Sequence, residues 1–208
     1  MSSQSGGFLA VIRKLSWAIV LFIVFAVALP VAVGAIYRVP ASSILSLILS
    51  TTVLQAAAPP LGLALGLNPP GILFIMATFA IGMVVAILEV CDSLALSSDR
   101  VKRWIDNIGK KMEKYPAIQK YGAVSCIAIA WVPGIGLYGT PIIAWILGWK
   151  RIPVIMFTTL GFVIASLFVL FFASRLSIEE IILIVAIVII AVIILLAVRK
   201  YGKRKKDS

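Results

Sequence analysis

Residues 120–150 read K-Y-G-A-V-S-C-I-A-I-A-W-V-P-G-I-G-L-Y-G-T-P-I-I-A-W-I-L-G-W-K. The stretch is apolar from 123 to 149, long enough to cross a bilayer, yet Pro133, Gly134, Gly136, Gly139 and Pro141 interrupt its middle. Proline removes a backbone donor and crowds the preceding turn, and glycine weakens what helix remains. Each arm, 123–132 and 142–149, is roughly 12–15 Å long as helix, about half a hydrocarbon core. Two half-helices around a broken turn predict a re-entrant hairpin, a shape that survives at membrane depth only inside protein or against a wet cavity.

Composition agrees. The 208 residues are 62% apolar, with mean hydropathy +1.13 and no His, which describes one integral membrane bundle. The net charge of +11 does not point to nucleic acid, because the basic residues flank apolar runs, as the positive-inside rule requires. Without His, the commonest general base and metal ligand are missing. No nucleophile–base pair stands out, so neither an enzyme nor a metal or other cofactor is expected. Cys91 and Cys126 are far apart in apolar segments and read as packing residues.

Outward from this stretch, the first span covers 15–37, with a kink expected at Pro30. At 23 residues it exceeds an ordinary signal-peptide core and reads as a retained span. Residues 41–67 are apolar but interrupted at Pro59-Pro60 and Gly62, which predicts a second re-entrant hairpin. A span follows at 70–96. Between 98 and 116, Val101, Trp104, Ile105, Ile108, Met112 and Tyr115 form one helical stripe among Lys and Arg, the pattern of an interfacial amphipathic helix. Further spans cover 152–174 and 178–198, and 199–208 is a basic tail.

Charge sets the topology. If both broken segments re-enter, then 13–14, 100–120, 150–151 and the tail share one side, leaving only Arg38 and Arg175 opposite. The expected fold is therefore all-α: four transmembrane helices, two opposed re-entrant hairpins forming an inverted repeat, and one cytoplasmic amphipathic helix. Both termini are cytoplasmic and the protein sits in the plasma membrane. Pro59-x6-Gly66 and Pro141-x6-Gly148 mark the repeat, an arrangement that secondary transporters use.

K-Y-G (120–122), P-G-I-G-L-Y-G-T (133–140), A-W-I-L-G (144–148) and P-L-G-L-A-L-G (60–66) together resemble the small multi-drug export family, within the wider DedA/VTT superfamily. The resemblance implies facing re-entrant loops and transport of a lipid, a lipid-linked carrier or an exported compound. The family usually carries a Glu near the start of the first hairpin, where this chain has Leu54-Gln55. The arginines of the DedA branch are absent from 121–149.

The candidate substrate-binding residues are Pro133, Gly134, Gly136, Tyr138 and Gly139 of one hairpin and Gln55, Pro59, Pro60 and Gly62 of the other. Free backbone groups at the glycines, Tyr138 and Gln55 would meet a polar head. Glu89 and Asp92 are candidates for a proton or cation site; the alternative pairs them with Arg100 or Lys102 at the membrane surface. Gly82-x3-Ala86 and Gly161-x3-Ala165 read as helix contacts, and such faces allow a homodimer. The expected function is transport of an amphiphile, with a hydrophobic cation favoured over a phosphate because no Arg is buried. The rival reading is a scaffold that binds a partner or anionic lipid through 98–116 and the tail.

Overall fold

The computed structural model describes residues 3–97, 101, 103, 107, 122–132 and 135–173, with side chains from 11 onward except at 96, 97 and 173. All of the regular structure among them is helical. Helix α1 (Ser3–Ile23) runs through a π-helical turn (Val24–Ala28) into α2 (Leu29–Ile36). Then come α3 (Ala41–Leu54), α4 (Pro59–Ala64), α5 (Pro69–Ser97), α6 (Cys126–Ile129), α7 (Gly136–Ile146) and α8 (Arg151–Ala173). Three stretches, Val11–Ile36, Pro69–Ala95 and Arg151–Phe172, are long and apolar enough to cross a membrane. Of the amphipathic stretch 98–116 only Val101, Arg103 and Asn107 are described, each helical; the span at 178–198 and the basic tail lie outside the described residues. The chain divides into a unit ending at Leu170 and a second that begins at Phe171. Both broken segments belong to the first unit.

Pro30, where the sequence predicts a kink, follows a π turn in which the Leu29 N–H reaches the Val24 carbonyl. The widened turn takes up the carbonyl that the proline ring would otherwise strike four residues earlier, at Ala26.

Helix α5 is the central element. Phe79, Ala80, Met76, Ile72 and Val84 on it are fully buried. Phe22 meets Phe79 edge-on, at 6.1 Å between centroids. Gly82 lets Phe25 and Ala26 approach so closely that a Cβ there would lie 3.1 Å from Phe25 Cβ. Along α3, a Cβ on Gly62 would meet both Leu47 and Ile72, and Thr51 touches Met76 Sδ at 3.2 Å. Thus α3 and α5 run in the same direction, and α4 returns between them.

The prolines do not break the helices where the sequence suggested. Helix α3 stops at Leu54, the break is Gln55–Ala58, and Pro59-Pro60 open α4. A first-turn proline costs nothing there, since that N–H has no helical partner anyway. Pro141 likewise sits inside α7, and the second break falls before Gly136. Pro133 and Gly134 lie outside the described residues.

The repeat is written in backbone hydrogen bonds. In the first copy Leu65, Gly66 and Leu67 donate to Leu61, Leu63 and Gly62; in the second Leu147, Gly148 and Trp149 donate to Ile143, Trp145 and Ala144. Every position is offset by 82 (143 − 61 = 82). Gly66 (φ +78°) and Gly148 (φ +70°) take the left-handed conformation that closes each helix in a Schellman turn. The next helices start in the same register, Pro69 and Arg151. The two turns lie at opposite ends of α5: Gly66 beside its start, and Gly148 beside Trp145 and Arg151, whose side chains meet Asp92 near its finish.

Candidate functional site

Each broken segment starts and finishes in one place. Val39 and Asn68, which bracket the first, line a common cavity. Gly122 and Trp149, which bracket the second, are packed so that a Cβ on Gly122 would lie 2.3 Å from the indole. Between these ends the segments meet: the Tyr138 hydroxyl donates to the carbonyl of Thr52. That carbonyl belongs to the last turn of α3, where a helix leaves its acceptors unsatisfied. The contact therefore joins the carbonyl end of α3 to the first turn of α7.

Around it the polar groups are uncharged. Thr51 and Thr52 hydroxyls donate back to Leu47 and Ile48, and Thr140 donates to the Gly136 carbonyl. Gln55 is 7% exposed, and no side-chain hydrogen bond from its amide falls among the described residues. Its backbone is unusual as well, at φ 53°, ψ −128°. Side chains other than glycine's are held in such regions only at a cost of order 1–3 kcal/mol. We expect Gln55→Gly to gain about 1 kcal/mol net of glycine's entropy, raising Tm by about 2–4 °C, measured by thermal unfolding in detergent.

Several sequence candidates land elsewhere. Gly136 and Gly139 do not present free amides: they donate to Val132 (2.7 Å) and Ile135. Their role is close approach, since a Cβ on Gly136 would lie 2.2 Å from the Ala130 carbonyl oxygen. Gly62 packs against Ile72, Pro59 is buried in the same layer, and Pro60 is half-buried at the start of α4. Sequence reasoning passed over Thr51, Thr52 and Thr140. Their signal is three hydroxyls beside the breaks of otherwise apolar segments.

Glu89 and Asp92 gather at the far end of α5. Arg151 Nη2 lies 2.6 Å from Glu89 Oε1, and its Nη1 lies 3.5 Å from Asp92 Oδ2. Lys14 Nζ approaches Asp92 Oδ2 at 3.8 Å, and Trp145 Nε1 donates to Asp92 Oδ1 at 2.8 Å. Both acids are thus engaged, by Arg151 and Lys14; Arg100 and Lys102 lie outside the described residues. Among the described residues no cluster of His, Cys, Asp or Glu could hold a metal ion.

Long apolar helices packed around α5, with the ion pairs among the described residues gathered at its far end, define a multi-pass membrane protein. Residues 54–168, more than half of the chain, match the family described as "Putative small multi-drug export protein", and the chain belongs to that family. No curated protein and no solved structure matches it.

Proposed function

We propose that this chain is a plasma-membrane transporter whose two broken segments are opposed re-entrant hairpins, passing an amphiphile where their tips meet. The observation that carries the reading is the Tyr138–Thr52 hydrogen bond between segments that each return to their own end of α5. A chain-reversing segment at membrane depth must satisfy its polar groups internally or against a wet path. Here the remaining polar groups are hydroxyls, an amide and carbonyls, which suit a polar head stripped of water. The family description fits an export role. We further propose a DedA/VTT relationship, on the sequence resemblance alone, which would bring lipids and lipid-linked carriers in as substrates alongside hydrophobic cations. The convergence of Lys14 and Arg151 on Asp92 favours the topology in which 13–14 and 150–151 share the cytoplasmic side. Both termini then lie there, with four spans in all, and membrane lipids are the expected partners, through 98–116 and the tail.

The test is reconstitution into liposomes, following transbilayer movement of a fluorescent phospholipid, a polyprenyl phosphate analogue and a hydrophobic cation. Tyr138→Phe removes one hydroxyl and no packing volume. We expect it to unfold within about 1 kcal/mol of the wild type and to slow movement roughly tenfold, about 1.4 kcal/mol of barrier. Movement of none of the three substrates would sink the transport reading. Equal movement by wild type and variant would remove the hairpin tips from the path and favour the scaffold reading.

A further inference from the structure

A cavity of about 400 Å³ opens where α2, the two ends of the first broken segment and the start of α5 converge. That volume is in the range that houses drug-sized ligands. Its walls are apolar, with Val33, Ile44, Leu67 and Phe74 among them. Gly34 and Gly71 also line it, and neither carries a side chain to fill it. No charged residue lines it, so it offers no carboxylate to pair with a cation.

Its polar groups are two. Tyr37 brings a phenol, exposed and without a hydrogen bond among the described residues. Asn68 spends its side-chain oxygen on the Gly71 N–H at 2.9 Å, which leaves its NH2 as a donor. The one charge adjoining the wall in sequence is Arg38, next to Tyr37, held at φ 55° in the turn that ends α2. Two donors thus line an apolar hollow, and a cation follows one of them in sequence. Helix α3 leads from this hollow to the hairpin tip: Ile44 is in the wall, and Thr51 lies two turns further along.

We infer that this cavity binds the apolar body of a small amphiphile whose head is a hydrogen-bond acceptor, neutral or anionic, before the head reaches Gln55 and Tyr138. The inference rests on the transport reading for its role, but binding itself does not depend on movement. The shared chemistry, an apolar body beneath an acceptor head, belongs equally to an aryl carboxylate and to a phospholipid acyl chain, and the test separates them.

Protein in liposomes would be photolabelled with 4-benzoylbenzoate, with a quaternary ammonium analogue of it, and with a phospholipid carrying benzophenone on its acyl chain. Adducts would be mapped by mass spectrometry. The expected result is saturable labelling by the carboxylate within 30–44 and 67–75, at least about tenfold above that by the ammonium compound, the ratio that ~1.4 kcal/mol of preference gives. Val33→Trp and, separately, Val39→Trp, both in the wall, fill the hollow, and each is expected to abolish that labelling while the circular dichroism spectrum is kept. Labelling unchanged in both variants, or none within these segments, overturns the site. Equal labelling by the ammonium compound overturns the assigned head group, and labelling by the lipid probe alone overturns a small-molecule occupant. Labelling without movement of any substrate leaves the site standing and sinks transport.

Discussion

Gly161→Ala will destabilise the protein by about 2 kcal/mol, lowering Tm by about 4–8 °C in a thermal unfolding scan of the purified protein in detergent. The sign is the informative part. Alanine normally improves on glycine within a helix by about 1 kcal/mol, and Gly161 lies well inside α8. But a Cβ there would sit 2.5 Å from the Ile127 carbonyl oxygen and 2.7 Å from its Cα. Those are backbone atoms of α6 and cannot rotate away, so the outgoing arm of the second segment must lift off α8. The tilted contact of Trp131 with Phe168, at 5.5 Å between centroids, would open with it. Gly82→Ala is the control. Its Cβ would meet Phe25 Cβ at 3.1 Å and the Ala26 nitrogen at 3.2 Å, a tightness that a few tenths of an ångström relieve. The helical gain then nearly offsets the crowding, and Tm should move by no more than about 2 °C. A Gly161→Ala protein as stable as the wild type would mean that α6 and α8 do not approach at this point.

The two breaks were legible in the sequence, but not their positions. Clustered proline and glycine announced that 41–67 and 121–149 could not be continuous helices. Proline, however, is compatible with a helix's first turn, and Pro59-Pro60 occupy that place in α4. What ends α3 is the positive φ of Gln55, which intrinsic preference would assign to glycine. The Pro-x6-Gly spacing was readable because a left-handed residue is needed where a Schellman turn closes each return arm. The partners of Glu89 and Asp92 were not readable. Sequence proximity suggested Arg100 and Lys102, which lie outside the described residues; among those described, the second turn brings Arg151 back to α5 and α1 brings Lys14.

The repeat is faithful at its base and divergent at its tips. From Leu61 to Pro69 and from Ile143 to Arg151 the two copies share hydrogen bonds and helix starts at the same offset. Nearer the breaks, α7 begins well before Pro141 while α4 begins at Pro59. Beside the breaks, the first copy therefore carries Thr51, Thr52 and Gln55, and the second carries close-packed glycine, Thr140 and the Tyr138 phenol.

Arg151→Ala is expected to cost about 1–3 kcal/mol, less than the 3–5 kcal/mol of a fully buried pair because the Arg151 side chain is 45% exposed. The loss falls mainly on Glu89, whose side chain is only 12% exposed and whose one ion pair among the described residues is with Arg151. Asp92→Asn keeps an acceptor for the Trp145 indole and leaves Arg151 paired with Glu89, so it strands no buried charge and should cost less. Arg151 also opens α8, where the positive end of the helix dipole disfavours a cation by about 0.3–1 kcal/mol. A guanidinium in that place is explained by what it reaches, the two acids of α5. Adding Glu89→Gln to Arg151→Ala removes the stranded charge and should recover most of the lost Tm. If the pair mattered only as a solvated surface contact, Arg151→Ala alone would leave Tm unchanged and the second substitution would have nothing to restore. Partial rescue fits the geometry best, because Arg151 also joins α8 to α5 through Asp92, and that link is lost whether Glu89 is charged or not.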